Sequence, residues 1–367
     1  MKILVLGGAG DMGSEAVRDL VKFSTAENII IADRNVKGAK KLANSLGDKR
    51  VAVEQVDATS HRDLVRVMQG KQVAAGALGP FYRFEKPIVE ASLEAGVDYV
   101  SLCDDHDAAE AVLALDQIAK EKGCRIMTGM GWTPGLSNML ARRGFEEMDN
   151  VESIRVYWAA GAGDSEGLAV ILHTIHIFNG KVTSYQKGNH ITVKAGSEKE
   201  AVNFPSPLGT VNTFHLGHPE PVTLPRYLNG LQTVTLKGGL AENYLNALAR
   251  AVAFLGLSNN RYTKQFMGRL LKVLMHVFPT DRKRNYSGIR VDIQGTREGK
   301  PLTVSYAAVD HMRRLTGIPL SIGTILMAEN QIKRYGVFSP EADEAVYSDL
   351  FLKELNRREI EVNRQEL

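Results

Sequence analysis

The chain opens with the stretch Lys2-Ile3-Leu4-Val5-Leu6-Gly7-Gly8-Ala9-Gly10-Asp11-Met12-Gly13, an apolar run that leads into a G-x-G-x-x-G turn. An amphipathic helical pattern follows the turn, and Asp33 ends the next apolar run twenty residues beyond Gly13. Glycines at these spacings allow a tight turn, a close approach of a pyrophosphate to the backbone, and close packing of a helix on a strand. The stretch therefore predicts a dinucleotide-binding Rossmann domain.

The predicted cofactor site combines this turn with the ends of the next strands. The residues expected to hold the pyrophosphate are Gly8, Ala9, Gly10, Asp11, Met12 and Gly13. Asp33 is expected to accept the ribose hydroxyls, which favours NAD slightly over NADP. Arg34 suits either a 2′-phosphate or stacking on adenine, so both cofactors remain open. Asp57 and Ala58 follow the third strand and are predicted to lie near adenine, although a helix-capping role explains Asp57 equally well.

The composition is that of an ordinary soluble globular protein, long enough for two domains. The chain has 367 residues, 44% of them apolar and 24% charged, and its 45 basic and 42 acidic residues leave a formal net charge of +3. Its short basic runs are typical of solvated surfaces, so no nucleic-acid partner is expected. Cys103 and Cys124 lie in apolar runs, as reduced core thiols do. With no leader pattern and no long apolar run, the expected location is cytoplasmic, without a membrane partner.

Residues 1–130 alternate strand and helix patterns, with six strands in all. Because each crossover is helical, the predicted sheet is parallel and doubly wound, which is an α/β fold. Residues 131–315 contain paired strand patterns typical of a second, α+β domain with a mostly antiparallel sheet. The remaining residues, 316–367, are predicted to form helices that could pack on either domain. Helices are also expected inside the second domain, at about 166–178, 241–255 and 263–277.

The carboxyl ends of the fourth and fifth strands are candidate sites for chemistry. Gly79 and Pro80 follow the fourth strand and are expected beside the nicotinamide ribose, although Pro80 is explained equally well as a turn former. After the fifth strand, Cys103, Asp104 and His106 form a candidate acid–base cluster. The alternative is that an aspartate caps the next helix while Cys103 fills the core. No cysteine–histidine spacing of metal type occurs, so no metal is predicted.

A second candidate segment is the polar stretch His215–Tyr227, which is stiffened by three prolines. We interpret it as a rigid loop that presents substrate-binding groups. Arg226 is the preferred partner for a substrate carboxylate, since guanidinium groups bind carboxylates in a bidentate manner. His173 and His176 are three residues apart on a predicted helix, and without a third ligand nearby such a pair is more typical of packing.

Four segments together resemble the saccharopine dehydrogenase family, and more narrowly its saccharopine reductase and lysine 6-dehydrogenase-like branch. These segments are the opening glycine turn, Tyr99–Asp105, Gly131–Asn138 and Gly217–Pro225. The resemblance covers nearly the whole chain. It implies an N-terminal NAD(P)-binding domain, a second domain that covers the substrate and supplies the contacts of a homodimer, and C-terminal helices that return to the first domain.

The resemblance also implies a reaction, namely hydride exchange at a carbon bonded to nitrogen in an amino acid or amino-acid conjugate. The expected substrate contacts are Tyr82, Arg83, Trp132, His218 and Arg226. Two other functions remain open: a reductase of a carbon–carbon double bond or an aldehyde, and a redox sensor that binds a dinucleotide without turning it over. The expected partner is in each case a small molecule, with an amino-acid-like substrate preferred.

Overall fold

The computed structural model describes residues 1–164, 168–255, 263, 266–268, 270 and 285–367. The chain divides into two units. The first unit comprises Met1–Leu136 and Thr316–Arg358, and the second comprises Ser137–Leu315 and Glu359–Leu367. The helix predicted at about 263–277 lies almost entirely outside the described residues. Among the described helices, none combines the length and the apolar character needed to cross a membrane.

The first 130 residues alternate strands and helices, as predicted. In chain order the elements are β1 (Lys2–Leu6), α1 (Asp11–Phe23), β2 (Asn28–Asp33), α2 (Val36–Leu46), β3 (Val51–Gln55), α3 (His61–Met68), β4 (Val73–Gly76), α4 (Phe81–Ala95), β5 (Asp98–Ser101), α5 (His106–Leu113), α6 (Asp116–Glu121) and β6 (Arg125–Met127). Glycines in the left-handed conformation end α2 and α4, and the Ser60 side chain caps α3.

The rest of the chain adds the second sheet and the C-terminal elements. These are α7 (Leu136–Phe145), β7 (Asn150–Ala160), α8 (Leu168–Ile177), β8 (Lys181–Gln186), β9 (Asn189–Lys194), β10 (Glu200–Phe204), β11 (Gly209–His215), α9 (Glu220–Tyr227), β12 (Thr233–Leu240), α10 (Asn243–Phe254), β13 (Ser287–Arg297), β14 (Lys300–Asp310), α11 (Met312–Ala328), β15 (Gly336–Phe338), α12 (Ser348–Arg357) and β16 (Asn363–Glu366).

Two sheets organise these strands, and they confirm the predicted fold class. The first is parallel, in the order β15-β6-β5-β4-β1-β2-β3. The second has a main path in the order β10-β11-β12-β7-β13-β14-β16, with the β8–β9 hairpin attached to β12. It is mixed but mostly antiparallel, because β7 and β12 run parallel while the other pairs are antiparallel.

The C-terminal tail contains two helices, as predicted, and also two strands that the prediction did not include. The first helix ends at Ala328, and β15 then joins the edge of the parallel sheet beside β6. Asp116 accepts a hydrogen bond from the backbone N–H of Val337, which helps to hold this strand. The last residues do not remain in the first unit, because β16 pairs with β14. Without these short strands, β6 and β14 would be edge strands with unpaired backbone groups. β15 pairs with β6 and β16 pairs with β14, which satisfies those groups.

The stretch His215–Tyr227 is not the loop that we predicted. His215 ends β11, and residues from Glu220 onward form α9. Pro219 lies at the N-cap of α9 and Pro221 in its first turn. Proline is tolerated there because the amide hydrogens of a first turn have no partner within the helix. Two of the three prolines therefore lie where a helix starts, and the third, Pro225, lies inside it.

Candidate active site

The glycine turn after β1 has the shape that its spacing predicted. Gly10 donates its N–H to the carbonyl oxygen of Gly7 at 3.0 Å, and it is the N-cap of α1, without a side-chain cap. A Cβ atom on Gly13 would lie only 2.3 Å from the Gly7 carbonyl oxygen, so close packing of α1 requires glycine there. A Cβ on Gly10 would lie 3.3 Å from the same oxygen. Packing within the protein is therefore enough to require glycine at position 13. At position 10 packing requires it less strongly, and the approach of a pyrophosphate to the backbone explains why glycine occurs there.

Another glycine, which we did not assign to the site, holds the same turn from the C-terminal part of the chain. Gly317, in α11, has its Cα so close to α1 that an added Cβ would lie 2.7 Å from the carbonyl oxygen of Met12. It would also lie 2.9 Å from the backbone nitrogen of Ala16. The two helices thus approach each other closely, and α11 supports the turn of α1 that points at the predicted pyrophosphate.

Asp33 lies beside the glycine turn, where we predicted it. Its carboxylate accepts the N–H of Ala9 at 3.1 Å through one oxygen and the N–H of Asn35 at 2.8 Å through the other. Each carboxylate oxygen has two lone pairs, so both oxygens keep capacity for ribose hydroxyls. The two hydrogen bonds thus fix the orientation of the carboxylate and leave it able to accept further hydrogen bonds. The residues of this turn therefore fit a dinucleotide.

Asp57 and Arg34 are both exposed, near the adenosine end of the predicted site. Asp57 accepts the N–H and the hydroxyl of Thr59, at 2.9 and 2.7 Å, and these bonds lower its pKa. Arg34 and Arg83 lower that pKa further through their positive charge. The cap of α3 is Ser60 and not Asp57, so Asp57 organises the turn before that helix while it stays available to a ligand.

The glycine geometry leads to a prediction about dinucleotide binding. We expect Gly10→Ala to weaken NAD(P)H binding about tenfold or more while the melting temperature changes little, because the methyl group occupies space that the pyrophosphate needs. Gly13→Ala is the matched comparison, and it should also lower the melting temperature because its methyl group has no space in the protein itself. Fluorescence titration with NADH and NADPH, combined with thermal unfolding, measures both effects. An unchanged affinity of the Gly10 variant would contradict the assignment.

The loops after β4 and β5 are joined by a buried aspartate. The Asp105 carboxylate accepts the backbone N–H of Tyr82, in the first turn of α4, at 2.8 Å. Asp105 is the N-cap residue of α5, as the alternative expected, but its side chain makes no capping bond to α5 and binds the first turn of α4 instead. The bond ties the segment Gly79–Pro80 and the start of α4 to the end of β5. The segments that follow β4 and β5, both expected at the nicotinamide, are therefore held together by this hydrogen bond.

The three candidates for acid–base chemistry have different surroundings. Cys103 is buried, and burial, assisted by Glu85 and neighbouring aspartates, raises the pKa of its thiol well above the usual value. A thiol in this state is a poor proton acceptor, so its burial favours core packing, while its catalytic role stays a prediction. Asp104 and His106 are half-buried at the end of β5. His106 is the first residue of α5.

The expected substrate contacts of the first unit surround the same strand ends. Tyr82 is half-buried in the first turn of α4, and Trp132 is buried in the segment after β6. Arg83 is exposed, with its guanidinium carbon 4.7 Å from the centroid of the Phe84 ring. Arg83 is thus available to an anionic ligand near the start of α4.

In the second unit, two of the segments that carry the family resemblance meet. Ser137 donates its hydroxyl hydrogen to the carboxylate of Glu220 at 2.8 Å. The amide of Asn138 donates to the hydroxyl of Thr223 at 3.1 Å. All four residues are buried. The start of α7 is therefore fastened to α9 by polar contacts between residues about 80 positions apart, which no local pattern of the sequence could indicate.

His218 lies in the interior of this second unit, close to an acidic and two aromatic groups. Its Nδ1 atom is 3.8 Å from a carboxylate oxygen of Glu220. Its ring centroid is 5.2 Å from that of His173 and 5.9 Å from that of Trp158. The structure thus brings together His173, which we interpreted as packing, with His218, which we expected at the substrate. Arg226, in the last turn of α9, is exposed.

Comparison with known proteins gives matches along almost the whole chain. The family model described as "Saccharopine dehydrogenase NADP binding domain" matches residues 3–127, and the model described as "Saccharopine dehydrogenase C-terminal domain" matches residues 131–360. Carboxyaminopropylagmatine dehydrogenase of Synechocystis sp. is 23% identical over 371 residues, which cover 93% of this chain and 92% of that protein. A lipid droplet localized protein of Caenorhabditis elegans is 24% identical over 139 residues, 35% of this chain and 33% of that protein.

A solved structure also shares the fold. The apo form of saccharopine dehydrogenase (L-Glu forming) from Saccharomyces cerevisiae superimposes with a TM-score of 0.72. The alignment covers 100% of this chain and 99% of the yeast chain, at 14% sequence identity. At this level of identity the likeness establishes the fold, and function has to be argued from the residues themselves.

Proposed function

The chain belongs to the saccharopine dehydrogenase family, and from this premise we propose that it is an NAD(P)-dependent oxidoreductase of a carbon–nitrogen bond in an amino acid or amino-acid conjugate. The observation that carries the proposal is the glycine turn, where a Cβ on Gly10 would lie 3.3 Å from the Gly7 carbonyl oxygen, with the Asp33 carboxylate fixed beside it. The relative from Synechocystis sp., named as the dehydrogenase of carboxyaminopropylagmatine, matches over nearly its full length and supports the same substrate class.

The proposed oxidation turns an amine into an imine. The bound dinucleotide supplies the hydride chemistry, as acceptor in this direction and as donor in reverse. The carbon next to nitrogen loses its hydrogen with the bonding electrons, the nitrogen loses a proton, and water then adds to the imine to release a carbonyl compound and an amine. Asp104 or His106, at the end of β5, takes the proton from the nitrogen.

Candidate substrate contacts occur in each unit. In the first unit, Arg83 binds a carboxylate of the substrate, and Tyr82 and Trp132 line its apolar part. In the second unit, Arg226 is the corresponding partner for a carboxylate, since its guanidinium group is exposed at the end of α9. His218 lies deeper in the second unit, and we assign it to the support of α9 through Glu220.

A screen of candidate substrates tests this function. Purified protein would be assayed for NADH and NADPH formation with lysine, saccharopine, other diamines and other amino acids. Turnover with a stoichiometric amine or ammonia product is the expected result, and the Gly10→Ala variant serves as the cofactor-site control. Turnover only of enones or aldehydes in the reductive direction would replace the proposal with the alternative reductase. Tight NADH binding without turnover across the panel would indicate a redox sensor.

Cofactor preference follows from the two charged residues that end β2. We propose a modest preference for NAD, because the Asp33 carboxylate repels a 2′-phosphate, while the adjacent Arg34 reduces the difference. Asp33→Ser is expected to weaken NADH binding about tenfold and to strengthen NADPH binding, whereas Arg34→Ala should weaken NADPH binding selectively. Titration of both variants with both reduced cofactors measures this. Equal losses for the two cofactors in both variants would contradict it.

A further inference from the structure

A buried glutamate lies beneath the strand ends of the first unit, and no prediction singled it out. Glu85, in the second turn of α4, is fully buried. Its carboxyl group receives hydrogen bonds from the hydroxyls of Tyr99 at 3.1 Å, Ser101 at 2.5 Å and Thr128 at 3.4 Å. Tyr99 and Ser101 belong to β5, and Thr128 directly follows β6. One carboxyl group thus connects α4 to the carboxyl ends of two neighbouring strands.

The protein makes space for this cluster of Glu85, Tyr99, Ser101 and Thr128. A Cβ atom on Gly76, the last residue of β4, would lie 2.0 Å from the Tyr99 hydroxyl oxygen, so glycine is required for that phenol to reach Glu85. The cluster also continues to the segment after β5, since the hydroxyl of Ser101 accepts the backbone N–H of Cys103 at 3.4 Å. The residue that follows Cys103 is Asp104, our candidate for proton transfer.

The protonation state of Glu85 decides how the hydroxyls of this cluster are arranged. A carboxylate accepts all three hydroxyl hydrogens, whereas a protonated carboxyl must donate its own hydrogen, so at least one hydroxyl has to turn. Burial raises the pKa of Glu85 to about 7 against the lowering effect of the three hydrogen bonds, and the negative charge of Asp105 raises it further. Tyr99 and Cys103 are neighbouring titratable groups, and burial raises the pKa of both. Near neutral pH the cluster therefore populates both arrangements.

We propose that Glu85 is a positioning residue of the reaction, whose ionised carboxylate holds Ser101, Thr128 and the following Asp104 segment in the arrangement that transfers the proton. This inference rests on the proposed function. Because Glu85 is fully buried, it acts through its hydroxyl partners and not on the substrate. Protonation loosens the arrangement, so this contribution to the rate is present at alkaline pH and lost at acidic pH.

The test is the Glu85→Gln variant, whose amide cannot ionise and therefore imitates the protonated cluster at every pH. The ratio of wild-type to variant kcat is expected to be near one at about pH 5.5 and about tenfold at about pH 8.5, with KM for the amine nearly unchanged. Glu90→Gln is the matched control, since Glu90 is exposed on the same helix and lies 3.8 Å from Lys86 in a surface ion pair.

The pH dependence of resistance to urea distinguishes a positioning role of Glu85 from a merely structural one. The pKa of Glu85 is higher in the folded chain than the usual 4.5, so its stabilising contribution is complete below about pH 4.5 and is lost as the pH rises through 7. Glu85→Gln has no such loss, so at alkaline pH the variant should be more resistant to urea than the wild type although it turns over more slowly. A variant that is less stable at every pH, with wild-type kcat per folded molecule, would overturn the inference.

A readout without an amine substrate keeps this result distinct from the proposed function. If the wild type turns over no amine, the proposed function fails, and the emission of bound NAD(P)H can still be followed across the same pH range. We expect an inflection near pH 7 in the wild type and the Glu90→Gln control, and its absence in Glu85→Gln. An inflection that persists in Glu85→Gln would overturn the role of Glu85 independently of the substrate.

Discussion

Asp104→Asn is expected to lower kcat by about 100-fold or more while NAD(P)H binds with nearly wild-type affinity, since general acid–base groups contribute about 10²–10⁴ to the rate. The substitution keeps the size of the side chain and removes its ability to take a proton. Asp104 is half-buried and follows β5. It thus lies on the side of the parallel sheet formed by the carboxyl ends of the strands, where ligands of such folds bind. Steady-state kinetics with the amine identified by the substrate screen, together with a fluorescence titration, would measure both quantities.

Two further variants make this prediction specific. Asp107→Asn is the control, because Asp107 is an exposed aspartate only three positions away, in the first turn of α5. His106→Gln tests the other proton acceptor at the same strand end. If His106→Gln loses turnover and Asp104→Asn does not, the proton passes through the imidazole. If both variants retain wild-type kcat, neither residue moves the proton and the site assignment fails.

Arg358→Met is expected to destabilise the protein by about 3–5 kcal/mol, the cost typical of leaving one partner of a buried ion pair without the other. Arg358 directly follows α12 and is buried. Its Nε atom donates to both carboxylate oxygens of Asp19, in α1, at 3.0 and 2.9 Å. Its guanidinium carbon also lies 4.2 Å from the centroid of the Phe23 ring. Methionine fills similar space but leaves Asp19 without this cation.

The neighbouring arginine offers a matched control for the loss of stability. Arg357 is exposed and lies 3.8 Å from Glu354 in a surface ion pair, which typically contributes less than about 1 kcal/mol. Urea unfolding of Arg358→Met, Arg357→Met and the double variant Asp19→Asn/Arg358→Met measures the difference. We expect the double variant to recover part of the loss, because the buried charge is then removed. Equal stabilities of the two arginine variants would show that the buried pair contributes little.

Local patterns were sufficient for much of the first unit. The strand, glycine turn, helix and Asp33 are arranged as their spacing predicted, because each feature is set by residues within one βαβ unit. The parallel sheet and the mostly antiparallel second sheet were also predicted correctly, since helical crossovers and paired strand patterns are visible in the sequence. The prolines of His215–Tyr227 misled us, because proline suits a loop and the first turn of a helix equally well.

The sequence by itself determined the cofactor-binding turn, the family and the class of both sheets, since these depend on residue types at short spacings and on segments that can be compared directly. Only the tertiary structure decided which distant side chains share one environment. It placed Glu85 among the hydroxyls of β5 and of Thr128, joined Arg358 to Asp19 within the first unit, and buried Cys103. Burial and long-range hydrogen bonds set the pKa and the orientation of such groups, and both depend on neighbours that the chain brings together only when it folds.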